Sequence, residues 1–127
     1  MAHRAFGLHV HITWHTRLRQ RLIRRSDADV VRAAVREAAT RWHVHVQELA
    51  ILSDHVHVIA SFRPDGGLVS FIRHATSEST RRINLVRGTV FQWARGYFVE
   101  SLSRDHVRAA CAYVAGQHLR HPDRVPT

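Results

Sequence analysis

From Leu8 to His15 apolar and polar residues alternate without a break. Leu8, Val10, Ile12 and Trp14 fall on one side, and His9, His11, Thr13 and His15 on the other. A period of two marks a strand with one buried face. A basic connector, "RLRQRLIRR", follows. The period then changes. Val30, Val31, Ala34, Val35, Ala38 and Trp42 form a helical stripe, with Ser26 or Asp27 placed to cap its start. Alternation returns in "HVHVQELAIL" and "HVHVIASF", and the two-residue link "SD" between them predicts an antiparallel hairpin. After the turn "RPDGG", residues 68–86 read as a second helix with Leu68, Phe71, Ile72 and Ala75 inward. "TVFQWARGYFVESL" reads as two strands around "ARG", and residues 103–121 as a final helix capped by Ser103.

The predicted order is β-α-β-β-α-β-β-α, without repeats, linkers or low-complexity stretches. Such an order predicts an α+β fold, a central antiparallel sheet with helices packed on one side of it. A chain of 127 residues supports one compact domain, 1–127, and is too short for two.

Composition changes the picture in one respect. The chain carries +9 formal charges, and all 19 of its basic residues are arginine. A GC-rich coding bias explains arginine in place of lysine, but not the excess of base over acid. Arginine contacts phosphate in a bidentate way, so a polyanionic partner is expected, with nucleic acid ahead of membranes and acidic proteins. No apolar run nears the ~20 residues of a membrane span, and "MAHRAFGLHV" lacks the features of a secretory signal. The single cysteine, Cys111, excludes an internal disulfide; it fits a reducing, cytoplasmic setting and reads as a small buried residue.

Candidate chemistry begins with "LSDHVHVIASF". On a strand His55 and His57 project from the same face, so two nitrogens can meet one divalent metal, although a third ligand must come from elsewhere. Two further His-x-His pairs, His9/His11 and His43/His45, read more simply as half-exposed or hydrogen-bonded strand residues. In "AYVAGQHL", Tyr113 and Gln117 are spaced i, i+4 and share one helical face. A tyrosine hydroxyl can act as a covalent nucleophile and a glutamine amide oxygen can bind a hard metal. A helical tyrosine equally packs into a core with its hydroxyl at the rim, and spacing alone leaves both readings open. His106 lies within reach of Tyr113 along the helix, and His118 and His121 suit a helix end or a DNA backbone.

These stretches, in this order, resemble the HUH single-strand transposases of the insertion-sequence 200/605 family, also described as REP-associated-type tyrosine transposases. The resemblance is carried by "LSDHVHVIASF", a basic helix, "FQWARGYFVESLS" and "AYVAGQHLRH", and runs over nearly the whole chain. It implies a ferredoxin-like, HUH-type fold, with His55, His57 and Gln117 holding Mg²⁺ or Mn²⁺ and Tyr113 as nucleophile. The implied activity is cleavage and rejoining of single-stranded or hairpin DNA through a 5′-phosphotyrosine, by a homodimer in the bacterial cytoplasm. Arg73, Arg81, Arg82, Arg17 and Arg21 are the expected DNA contacts. Gly116 stands where the family often has a polar residue, and the tail after His121 is short for the family.

Two other readings compete. Two His-x-Thr motifs, "HIT" at His11 and "HAT" at His74, match the two-histidine phosphoesterases, but the second falls in a helical segment. The chain is alternatively a domesticated relative that binds DNA or RNA hairpins without cutting them.

Overall fold

The computed structural model describes residues 7–88 and 90–127. Its elements are β1 (Leu8–His15), α1 (Arg25–Trp42), β2 (His45–Ile51), β3 (His55–Phe62), α2 (Leu68–Arg87), β4 (Phe98–Leu102), α3 (Val107–Ala115) and α4 (Gln117–Arg120). The strands form one antiparallel sheet in the order β2-β3-β1-β4. The α+β class and the ferredoxin-like sheet expected from the sequence are thus present. No helix among the described residues is long and apolar enough to cross a membrane.

Register decides which residues share a face. β1 pairs β3 with Ile12 opposite Val58, Thr13 opposite His57 and His15 opposite His55. Val10, Ile12, Trp14, Val56, Val58 and Ala60 therefore lie on one face. There they join Val31, Val35 and Ala38 of α1 and Phe71, Ile72, Ala75 and Ile83 of α2 in the main core. The opposite face carries His11, Thr13, His55, His57 and Ile59, and α3 lies across part of it. A small second core of Ala50, Leu52, Ile59 and Val114 pins α3 there. The expectation of helices on one side is corrected: α1 and α2 cover one face, α3 the other. The apolar positions of residues 107–114 were legible, but the sheet face they seek depends on strand register.

Local chemistry sets the element ends. The start of α1 is capped from inside. Arg24 is the residue before the helix, and the Asp27 carboxylate accepts its N–H at 2.9 Å and the Arg87 guanidinium at 2.9 Å. Ser26 is exposed within the first turn. His43 ends α1 in the left-handed region (φ 56°), so it belongs to the helix cap and not to the strand. Gly67, at φ 100°, precedes α2 where an added Cβ would lie 2.6 Å from the Trp42 carbonyl oxygen. Only glycine fits there.

The expected pair of strands around "ARG" is one strand and an isolated bridge. Thr89 lies outside the described residues. Phe91 and Trp93 point into the main core, as alternation predicts. However, the Phe91 backbone is taken up by the Asn84 side chain, donating its N–H at 2.7 Å and accepting at 3.1 Å. Only Trp93 bridges to Thr16 before Gly96 (φ 81°) turns the chain, and β4 then resumes the same edge of β1. The final helix is also divided. A 3₁₀ turn at Arg104–His106 precedes α3, and Gly116 separates α3 from α4. Ser103 caps that turn through its carbonyl, which accepts the His106 N–H, and makes no side-chain cap.

Candidate active site

His55 and His57 sit side by side on central strand β3, their Nε2 atoms 3.1 Å apart. His57 is 8% exposed and fixed on its other side, with Nδ1 2.9 Å from His11 Nε2 and 3.4 Å from Thr13 Oγ1. His55 Nδ1 lies 2.7 Å from Asp54 Oδ1. A carboxylate only accepts, so His55 carries a proton on Nδ1, and in its neutral form the lone pair is on Nε2, facing His57. Two lone pairs cannot face each other at that distance. The gap therefore takes a proton on one of the two nitrogens or a cation.

Burial, reinforced by His55, His11 and His121, pulls the His57 pKa down from 6.5 to about 4, so the ring is neutral at pH 7. Burial raises the Asp54 carboxyl, but the His55 hydrogen bond with the charges of His55 and Arg124 outweighs it, and the pKa falls below its ordinary value. Arg124 donates to Asp54 Oδ2 at 2.6 Å.

α3 brings Tyr113 to the same place. Its ring is edge-on to His57 at 6.0 Å between centroids and to His11 at 6.2 Å, and the Arg120 guanidinium lies 5.1 Å above its centre. Tyr113 is 40% exposed, and no described side chain hydrogen-bonds its hydroxyl. Gln117, one turn on, is buried at 1% exposure and returns its Nε2–H to the Tyr113 carbonyl at 3.3 Å. No hydrogen bond joins it to either histidine. Among the described residues no three His, Cys, Asp or Glu side chains are grouped to hold a metal ion. A third protein ligand would have to be of another type, which leaves Gln117 available. The His55–His57 spacing matches the ~3.0 Å between adjacent ligands of an octahedral ion held at ~2.1 Å. The histidine pair therefore offers two of the ligands such a divalent cation needs.

Sequence reading missed three members of this cluster. His11 reaches His57 diagonally across the β1–β3 register, Asp54 holds His55, and Arg120 covers Tyr113. Only Asp54 carried a local signal, an acid directly before the histidine pair. His15 pairs opposite His55 and His121 is near enough for its charge to act on His57, while other histidines lie elsewhere. His43 and His45 are exposed, His106 is exposed and bonded to Ser103, and His118 bonds the Ile51 carbonyl at 2.9 Å. Half-buried Cys111, on α3, packs against the small second core. His74, in α2, lies across the sheet from His11, so the two His-x-Thr motifs do not share a cleft.

The five arginines are dispersed. Arg81 and Arg82 pair with Glu78, and Arg82 also makes a bidentate pair with Glu37 at 2.6 and 2.8 Å. Arg21 holds Asp123, and Arg17 reaches Gln92 at 3.4 Å. Arg73 lines a surface hollow of about 330 Å³ with Arg95, Trp93 and Tyr97.

The four-stranded antiparallel sheet thus places the paired histidines and the helix-borne Tyr113 side by side on one face. Residues 4–117 match the family described as "Transposase IS200 like", and the chain belongs to that family. It is a transposase of the insertion-sequence 200/605 group. ISDra2 transposase TnpA of Deinococcus radiodurans is 21% identical over 120 residues, covering 89% of this chain and 86% of its own. A crystallised candidate transposase from D. radiodurans R1 superposes with a TM-score of 0.70 at 20% identity, over 100% of this chain and 98% of that one. A REP-associated tyrosine transposase bound to a REP hairpin superposes with a TM-score of 0.76 at 16% identity, over 95% and 73% of the respective chains.

Proposed function

We propose that this transposase cleaves and rejoins single-stranded DNA at hairpins, with Tyr113 as nucleophile and His55, His57 and Gln117 as ligands of Mg²⁺ or Mn²⁺. One observation carries the reading: within a single chain, Tyr113 stands edge-on at 6.0 Å from a buried, neutral His57 whose Nε2 faces that of His55. When bound, the cation would draw negative charge from the scissile phosphate. Everything else falls to the chain. Asp54 turns the His55 lone pair inward, His11 and Thr13 hold the His57 ring in place, and α3 holds the tyrosine beside them. Arg120, over the phenol ring, favours the negative charge that develops on the oxygen as its proton leaves.

The Tyr113 oxygen attacks phosphorus and the bond to the departing 3′ oxygen breaks. A 5′-phosphotyrosine and a free 3′-OH result, the phenol proton being balanced by the one taken up at the 3′ oxygen. One phosphodiester replaces another, so the step runs in either direction without ATP. Tyr113 stands beside the histidine pair of its own chain, and on this proposal it acts in cis rather than across a dimer.

A DNA partner is supported by the +9 charge and by the fold shared with a hairpin-bound relative. Arg73, beside Arg95, Trp93 and Tyr97, offers phosphate contact together with aromatic stacking. Arg17 and Arg21 are secondary contacts, and Arg81 and Arg82 serve once released from their acids. A homodimer is supported by the open edge of β4, where Phe98 is 67% and Val99 40% exposed.

The test is incubation of labelled hairpin DNA with Mn²⁺ and the protein, followed by denaturing electrophoresis. A labelled protein band that resists SDS and disappears with EDTA or with Tyr113→Phe is expected. Binding without any such band across a hairpin library would replace this reading with that of a non-cutting hairpin binder.

A further inference from the structure

The corner that leads into β3 is tied, residue by residue, to the chain that follows the tyrosine helix. His118 donates to the Ile51 carbonyl at 2.9 Å, Ser53 donates its N–H to the Arg124 carbonyl at 2.7 Å, and the Arg124 guanidinium reaches Asp54 at 2.6 Å. From the other side, Thr16 gives its N–H to the Asp54 carbonyl at 2.8 Å. The Asp54 side chain is 2% exposed, and its two oxygens go to two different partners, Oδ1 to His55 and Oδ2 to Arg124. A carboxylate is buried this completely only when its charge is answered.

Resting on the proposal that His55 is a metal ligand, we infer that Asp54 and Arg124 are positioning residues. Asp54 holds His55 in the Nδ1–H tautomer, and Arg124 holds Asp54. A neutral imidazole has one lone pair, and the hydrogen bond at Nδ1 decides that it sits on Nε2. That nitrogen is the one 3.1 Å from His57 Nε2. Arg124 comes from the turn Pro122–Arg124, directly after α4, so the segment that follows Tyr113 and Gln117 also orients the first histidine. The ligand strand and the nucleophile helix are thereby set in one frame.

Asp54→Asn keeps the shape but cannot serve both partners. With its single oxygen on Arg124, its NH₂ faces His55 Nδ1 and favours the Nε2–H tautomer; with the oxygen on His55, the NH₂ faces the Arg124 donor.

Nitrogen-15 NMR of histidine-labelled, metal-free protein reads the tautomer directly, with the His55 signals assigned from His55→Gln. Wild type should show His55 protonated at Nδ1 alone. Asp54→Asn should give a mixture of tautomers and bind Mn²⁺ about 10- to 100-fold more weakly. Arg124→Gln, at a half-exposed site, should shift both in the same direction by a smaller factor, and Arg124→Lys should recover part of the loss. Should Asp54→Asn fail to fold, Arg124→Gln carries the test. The inference is overturned if wild-type His55 is protonated on Nε2, or if a folded variant keeps both the tautomer and Mn²⁺ affinity within twofold. A wild type with the expected tautomer but no Mn²⁺ affinity would overturn the metal reading and leave the hold of Asp54 on His55 standing.

Discussion

On one face of the sheet Ile12, Val56 and Val58 meet Val31, Val35 and Phe71 with every one of these side chains at 0% exposure. On the other face, one residue along the same strands, Thr13, His55 and His57 meet a helix through a handful of apolar contacts at one end. The same strands supply both, because successive residues point opposite ways. The first face is apolar, so its stability comes from area removed from water. The second keeps two imidazoles and a buried carboxylate in place through named hydrogen bonds, leaving Tyr113 two-fifths exposed at the rim. What stabilises this domain and what makes it reactive are therefore separable by mutation.

Substitutions should split along this line. His57→Ala and Tyr113→Phe should each lower covalent adduct formation by at least about a thousandfold, the nucleophile and a ligand being needed together. Neither should shift the urea midpoint as far as Phe71→Ala. That change on the apolar face should cost about 3–5 kcal/mol while the folded fraction still forms adduct. If Phe71→Ala lost activity at full stability, the separation would be wrong.

Acid should find the faces at different pH. His57 is neutral when folded and its pKa is lowered to about 4, so the unfolded chain takes up the proton first. Stability of the metal-free protein should fall as pH drops from 6.5 to about 4, by on the order of 3 kcal/mol, measured by urea titration at fixed ionic strength. His57→Gln should flatten that window.

Next in size is Gly67→Ala, beside the apolar face. The left-handed φ and the Trp42 carbonyl predict a loss of about 1–3 kcal/mol on thermal unfolding, with the site face unaffected. The smallest effect belongs to Glu78, on the helix side of the sheet. The Arg81 hydrogen bond holds its pKa down at about 2, against 4.5 ordinarily. Its contribution is present above pH 4.5 and is lost only as pH falls toward 2. Glu78→Gln should therefore leave the urea midpoint between pH 4.5 and 6.5 as dependent on pH as in wild type. Solvent screening of this exposed pair keeps its effect small even in stronger acid.

Much of this was legible in sequence, for reasons that also explain the rest. Alternation in "LHVHITW" and the stripe from Val30 to Trp42 report burial, and burial is what periodicity measures. Phe91 and Trp93 show the limit: they alternate and are buried as expected, yet their backbone goes to Asn84 and a single bridge, so burial was right and the strand was not. In the site, His55 and His57 were readable as neighbours on one strand, and Tyr113 with Gln117 as neighbours on one helix face. That the two pairs meet rests on the family resemblance. His11 joins them only because Thr13 pairs with His57, a register no local pattern records. Arg124 lies 70 residues from Asp54, beyond the reach of any spacing argument.

The central proposal is that Tyr113 serves the histidine pair of its own chain. It is tested most directly by co-expressing His57→Ala and Tyr113→Phe chains of different length, purifying the mixture and assaying adduct formation on hairpin DNA beside wild type. Wild type should form the adduct and the mixture should form none, since no chain has both an intact histidine pair and its own Tyr113. Labelled DNA joined to the His57→Ala chain would show its tyrosine acting at the partner's histidines, and would contradict the account.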